Sequence, residues 1–476
     1  MAYKIGNRMQ QILLPPIIDD YVGLEDPVRV YDAFVDALDF TALGIPTEPS
    51  PGADEYYPKD LLKLIIYGYS YGIRSSRKSE RACHHNLSFQ WLMGGQKPDY
   101  RTIARFRSKY KQQIKKVLKQ CVRICMDLNL IEGNTLFTDG SKFRANASIN
   151  QSWTKEKCEK YLRKINEHID RLLEESEKID KNEDEQNSMV KHNEQVQNKK
   201  KLVEKIQGIM GQLKDSDNKY INSTDSDSVK AKGRQGNHAC YNVQMTVDNK
   251  HGLIVHGESI SENNDLNQLK DQLEKSTDAL GKKPEKSCAD SGYSSIQDIA
   301  KIDNDIQVIV PNSKQVEEDR GKAPGPFDKE RFQYDKDRDE YICPEGKRLT
   351  RKGFDKEKQV NMYRADSRDC KACQHFNVCT KSKKGRTIKR SIHENLKEQL
   401  NDIYKSPEGQ RIYQLRKEKV EHPFGHIKRN LGAGQFMLRG KDKVDAEVSI
   451  LSTCFNLARM MTIIGIPGLI ARLNSG

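Results

Sequence analysis

Three acidic residues stand where chemistry could be done. Asp139 ends the strand-like run NTLFTD and Asp290 ends KSCAD, while Glu421 lies in KVEHPFGHIK, inside a basic helical stretch. Carboxylates drawn from distant parts of a basic chain can form a cage for two magnesium ions, and two such ions can cut and rejoin a phosphodiester backbone. Taken singly, an aspartate after a strand is more often a turn or helix-cap residue. Glu421 taken singly could equally neutralise Arg416, Lys417 and Lys419. The joint case is stronger, because ligands in open α/β sheets collect at the carboxyl ends of strands. Lys428 follows Glu421 by two helical turns and shares its face. Pro423, between them, requires the helix to kink or restart near Glu421.

Bulk charge agrees with a polyanionic partner. The 476 residues carry a formal net charge of +13, and 31% of them are charged. Mean hydropathy is −0.82. The cations concentrate in two windows, Arg74 to Lys119 and Arg411 to Lys441, which favours nucleic acid over a merely solvated surface. No signal peptide is visible, and the longest apolar run, MMTIIGIPGLIA, is too short to span a bilayer. The expectation is a cytoplasmic protein, nucleoid-associated when on DNA, with no membrane partner and with reduced cysteines.

The elements that must position the acids follow from periodicity. Residues 1–130 predict an N-terminal helical, helix-turn-helix-like DNA-binding domain. It holds a buried helix at Lys59 to Tyr71, short basic helices at Arg77 to His85 and Leu87 to Met93, and a long helix from Tyr100 to Leu128 capped by Asp99. Ile103, Phe106, Tyr110, Ile114, Val117, Leu118 and Cys121 form one apolar stripe along that helix. Residues 131–314 predict the first part of an α/β core: a strand at Thr135 to Thr138, a β-hairpin across Asp248 to Gly252, a helix at Leu266 to Leu280, a strand ending at Asp290, and a strand at Ile306 to Pro311. Strand, hairpin, helix, strand, helix, strand is the order of an RNase H-like fold, a mixed sheet with flanking helices. A helical hairpin at 153–216 interrupts it, with a seam of Cys158, Leu162, Ile165, Ile169 and Leu172 against Leu202, Ile206, Ile209 and Leu213. Residues 396–476 are read as a C-terminal helical part carrying Glu421. Its tail, from Val444 to Ile464, is an apolar helix for the sheet.

Residues 315–395 form a polar, cysteine-rich insertion. Cys370, Cys373 and Cys379 lie in DCKACQHFNVC, with Cys343 upstream and His375 as a substitute ligand. Four soft ligands suit a structural zinc ion, and so polar a segment needs a staple to fold. Unligated thiols are the plainer alternative.

The chain resembles the DDE transposases of bacterial insertion sequences over nearly its whole length. FTDGSKFRANAS resembles the first-Asp motif and CADSGYSS the second. YQLRKEKVEHPFGHIKRNLGAGQFMLRG resembles the block holding the catalytic Glu, and the run from LLKLIIYGYS to TIARFR resembles the family's opening helical domain. In the family signature an Arg precedes the Glu by four positions and a Tyr by seven. Here those positions hold Lys417 and Gln414, with Arg416 and Tyr413 one residue further back. The segment Ser223 to Asp227 also resembles the family. The resemblance implies two Mg2+ (or Mn2+) ions about 3.5–4 Å apart, bridged by Asp139, with Asp290 and Glu421 holding one each. It implies cleavage at the ends of an element followed by strand transfer into target DNA. Lys428, with Arg416 and Lys417, would contact DNA phosphate. The partners it implies are double-stranded terminal repeats and target DNA, with a homodimer in the complex. Two alternatives share the fold: a catalytically inactive or co-opted DNA-binding protein, and a nuclease that cuts without joining.

Overall fold

The computed structural model describes residues 17–48, 55–179, 186–215, 219–233, 236–323, 325–357 and 359–475. Helices come first: α1 (Val28–Asp36), α2 (Phe40–Leu43), α3 (Pro58–Ser70), α4 (Ser76–His85), α5 (Leu87–Leu92), α6 (Tyr100–Lys109), α7 (Lys111–Ile114) and α8 (Val117–Asp127). Asp99 caps α6, its side chain accepting from the Thr102 amide at 2.6 Å. The single helix expected over Tyr100 to Leu128 is therefore three. Its apolar stripe runs unbroken across them, but the backbone opens between α7 and α8. There the Ser449 hydroxyl accepts from the Leu118 amide at 3.2 Å and donates to the Ile114 carbonyl at 3.0 Å, supplying partners that an unbroken helix would supply itself.

The central sheet combines β1 (Thr135–Arg144), β4 (Val229–Gly233), β5 (Gly236–Asp248), β6 (Ile254–Ile260), β7 (Lys286–Ala289) and β8 (Gln307–Ile309). Along it the order is β4-β5-β1-β7-β8, with β6 also on β5. β1 runs antiparallel to β5 and parallel to β7, which is parallel to β8. The fold is mixed α/β. A short pair, β2 (Ser152–Trp153) and β3 (Ile221–Asn222), closes the base of a helical pair, α9 (Lys155–Ile179) and α10 (Gln186–Asp215). Cys158, Ile165, Ile206 and Ile209 make the seam of that pair. Leu202, expected in it, is 40% exposed, and Val203 packs there in its place. Residues 182–185, in the polar stretch read as separating the two helices of the hairpin, lie outside the described residues.

α11 (Leu269–Leu280) crosses over between β6 and β7, and α12 (Ile296–Ile299) and α13 (Ser313–Asp319) follow β7. A second, antiparallel sheet follows, built from β9 (Gln333–Asp335), β10 (Glu340–Ile342), β11 (Arg348–Asp355), β12 (Val360–Ala365) and β13 (Thr387–Ser391), with α14 (Ser367–Ala372) before its last strand. Its apolar centre is only Phe332, Tyr341, Leu349, Tyr363, Ala365 and Ile388. The chain ends in α15 (Glu394–Lys405), α16 (Pro407–Arg429), α17 (Lys441–Ile464) and α18 (Ile466–Asn474).

Alternation along the strands fixes which helix covers which face. Arg416 of α16 meets Asp139, and Val448 and Ser452 of α17 lie against Gly257 beside Met245, so α16 and α17 share one face. Gln272 of α11 donates to Glu258 on the opposite face. α17 is long and apolar enough to cross a membrane, but 67% of that window is buried within the fold, as in a core helix. Its N-terminus is held by the segment singled out at Ser223 to Asp227. Asp225 accepts from the Tyr241 hydroxyl at 2.7 Å and from the Gly440 amide at 3.1 Å, and Asp227 accepts from the Lys441 amide at 2.7 Å. Carboxylates suit that positive helix end. Arg74 welds the N-terminal helices to the same helix, donating to fully buried Glu447 at 3.0 Å.

Candidate active site

The parallel register of β1 and β7 ends at Thr138 opposite Ala289. The next residue on each strand is an aspartate. Asp139 and Asp290 therefore stand at the same level on neighbouring strands, whose backbones are about 4.8 Å apart. β1 itself continues to Arg144 against β5, so Asp139 lies within a strand and not at its end, at the point where its neighbour on one side stops. Asp290 leaves β7 into a short turn and accepts from the Gly292 amide at 2.7 Å.

α16 supplies the other wall. Ser406 caps it and Pro407 opens it, a favoured pair of start signals. It runs to Arg429 as one element with Pro423 inside, so of the kink or restart expected near Glu421 the restart does not occur. Arg416 donates to Asp139 at 3.2 Å and lies over the Tyr413 ring, 5.5 Å from its centre. Lys428 donates to Ser141, two residues along the same face of β1, at 2.5 Å, and lies over the Phe143 ring. Lys417 and Glu421 are exposed. Among the described residues Glu421 makes no hydrogen bond or ion pair, and no three His, Cys, Asp or Glu side chains stand close enough together to hold a metal ion. The structure thus brings Asp139, Asp290 and Arg416 together and leaves Glu421 and Lys417 outside.

The electrostatics of the pair are those of crowded, desolvated carboxylates. Burial pushes Asp139 up to about 6, Arg416 and the Gly140 amide oppose the rise, and the charges of Asp290 and Asp265 reinforce it. Burial also lowers Lys428 below the usual lysine range. Asp265 is the residue that sequence reasoning missed. It sits in SENNDLNQ between β6 and α11, and nothing in that string marks it. Its Oδ1 accepts from Asn242 and Gln244, each at 2.7 Å, and both amides are fully buried on β5. Gln244 in turn accepts from the Tyr293 hydroxyl, in the turn that follows Asp290.

In the second sheet Cys343, Cys370, Cys373 and Cys379 line one cavity of about 30 Å³. Three of the sulfurs accept backbone amides: Lys347 to Cys343 at 3.2 Å, His375 to Cys373 at 3.4 Å and Arg386 to Cys370 at 3.4 Å. Burial and the three neighbouring thiols raise Cys379. His375 is engaged elsewhere, 3.2 Å from Glu345 and packed on Phe327.

A basic face lies apart from these sites. α6 exposes Arg101, Ala104, Arg105 and Ser108 at helical spacing, and α4, packed against it, exposes Arg77, Lys78 and Arg81. Arg77 and Arg101 both stack on Tyr100.

Two known families match separate parts of the chain. Residues 16–109, the helices that carry the basic face, match the Transposase domain (DUF772), so the chain is related to transposases. Residues 342–461, which hold the four cysteines, Arg416, Glu421 and Lys428, match the Transposase DDE domain. Both matches in one chain indicate a DDE-type transposase of the insertion-element type. Neither match reaches Asp139 or Asp290. No curated protein and no solved structure matches the chain.

Proposed function

We propose that this transposase cuts DNA at the ends of an insertion element and joins those ends to target DNA, using an RNase H-like core in which Asp139 and Asp290 hold divalent cations. The observation that carries the reading is the shared level of these two aspartates beyond the last paired residues of parallel β1 and β7. The donors suit magnesium or manganese: hard carboxylate oxygens, with Asp139 crowded by two further negative charges and already facing the Arg416 guanidinium where a cation would lie. Bound there, a pair of divalent cations supplies activation of the attacking water or 3′-hydroxyl and neutralisation of the leaving oxygen. Asp139 and Asp290 orient them. Glu421, about 7.5 Å further along α16 than Arg416 and turned to a different side of the helix, would be the third carboxylate if DNA and cations drew it in from its exposed position. Arg416 holds Asp139 in the cation-free chain, and Lys428 and Lys417 serve DNA phosphate. The α4–α6 face takes duplex DNA through phosphate contacts that set its position. A homodimer would handle two element ends together.

The test incubates the purified chain with a labelled element end, magnesium and a plasmid target. Cleavage with joining supports this reading. Cleavage alone would make the protein a nuclease, and binding alone a co-opted DNA-binding protein.

The cysteine-lined cavity is read as a structural zinc site around which Cys343, Cys370, Cys373 and Cys379 would have to draw together, since no three of them stand close enough to hold an ion as they are. Backbone amides aimed at three of the sulfurs favour thiolates, and the six-residue apolar centre of that sheet is small for independent stability. Metal analysis of wild type and Cys370→Ser tests it: stoichiometric zinc lost in the variant is expected, and zinc-free wild type would refute it.

A further inference from the structure

We propose that Asp265 is a positioning residue for the Asp139–Asp290 pair: from the opposite face of the sheet it ties the strand bearing one aspartate to the turn bearing the other, and its charge adds to their pull on a divalent cation. The inference rests on the reading of that pair as a cation site.

Space is the first observation. Asp139 faces α16, so the next residue, Gly140, faces the other side of the sheet. A Cβ on Gly140 would lie 2.3 Å from Asp265 Oδ1 and 2.5 Å from Gln244 Nε2. The Asp265 carboxylate is thus laid directly against the β1 backbone, at a position where any side chain would force it or the Gln244 amide to shift. On the second aspartate's side, a Cβ on Gly292 would lie 2.9 Å from Asp290 Oδ1 and 3.6 Å from Asp265 Oδ2. One carboxylate therefore abuts both backbones, each within two residues of a metal-ligand candidate.

Bonding is the second. Asn242 and Gln244 are completely buried, and each directs its side-chain amide at Asp265 Oδ1. Gln244 passes the connection on by accepting from Tyr293, also fully buried, three residues after Asp290. Asp265, Gln244 and Tyr293 form a continuous path from the β6–α11 loop, over β5, to the turn that aims Asp290. Oδ2 takes no hydrogen bond from the described residues, and among them no cation pairs with Asp265 within 4.0 Å, although Lys142 on β1 is near enough to feel its charge. A carboxylate so fixed, and joined to no cation by an ion pair among the described residues, suits a group that orients metal ligands from behind and strengthens their hold.

The experiment is a Mn2+ titration of the metal-free full-length chain, read by the electron paramagnetic resonance of free Mn2+, with thermal melts of the same samples. Wild type, Asp139→Asn and Asp265→Asn are compared. Asp265→Asn keeps an oxygen for Asn242 and Gln244 but removes the charge and one carboxylate oxygen. It should bind Mn2+ about tenfold more weakly while melting close to wild type. Wild-type affinity in Asp265→Asn, alongside weakened binding in Asp139→Asn, would overturn the role of Asp265 alone. Wild-type affinity in Asp139→Asn would instead remove the cation site on which the inference rests. If Asp265→Asn does not fold, Tyr293→Phe carries the test, since it deletes only the hydroxyl that reaches Gln244. Weaker Mn2+ binding in that variant supports the path, and wild-type affinity overturns it.

Discussion

Arg416 and Asp139, 277 positions apart in sequence, meet at 3.2 Å across the junction of α16 and β1. Both are largely buried, at 15% and 20% side-chain exposure. In the cation-free chain this guanidinium balances a carboxylate that burial and two neighbouring acids would otherwise drive to its neutral form. Arg416→Ala should destabilise the metal-free protein by about 2 kcal/mol, between the values of exposed and buried pairs. Magnesium should then raise the melting temperature of the variant more than that of wild type. An equal magnesium shift in both would separate Arg416 from the cation site.

The raised Asp139 carboxyl sets a pH dependence. Its folded value of about 6 lies above the ordinary 3.8, so it carries a proton below pH 6, and a divalent cation must displace that proton to bind. Mn2+ affinity should be nearly flat above pH 7 and fall about tenfold per pH unit below 6. Asp139→Asn should bind weakly and lose this slope. A slope unchanged in that variant would assign the proton to another group.

Gly140 gives a steric prediction. Gly140→Ala must push apart the Asp265 carboxylate and the Gln244 amide, which are bonded to each other. It should cost about 1–3 kcal/mol in urea unfolding, the range of overpacking. Wild-type stability would show that the network yields freely.

The N-terminal helices should behave as part of the same body as the sheet. Glu447 is fully buried and balances Arg74 while accepting the Met437 and Leu438 amides. Glu447→Ala should therefore cost about 3–5 kcal/mol by leaving a buried charge unpaired, although it lies outside the Asp139–Asp290 pair. A melting temperature close to wild type would contradict this.

DNA binding by α6 should be read through salt. Replacing Arg101 and Arg105 with Ala should weaken binding and reduce the slope of log affinity against log salt by about 2, with Mn2+ binding unchanged. An unaltered slope would place the DNA elsewhere.

Much of the site could be read from the sequence because its signals are local. An acid after a strand-like run and a basic helix with Arg416, Glu421 and Lys428 are visible in short windows. The register that sets Asp139 level with Asp290 is not local, and neither is the choice of α16 to present Arg416, and not Glu421, to the pair. Asp265 was illegible for the same reason: its meaning comes from two amides on β5 and from the missing Cβ of Gly140. The break between α7 and α8 was hidden because the apolar period continues through it, while its cause, Ser449, lies on another helix. Leu202 shows the reverse error, an apolar residue in phase with a seam that the helix turns outward.

The most direct measurement is anomalous diffraction from crystals of the chain with Mn2+ and a cleaved element end. Manganese peaks between the carboxylates of Asp139 and Asp290, with Glu421 drawn to the same cations and Arg416 displaced, are the expected result. Manganese bound elsewhere, with Arg416 still on Asp139, would contradict a cation site where β7 ends beside Asp139 of β1.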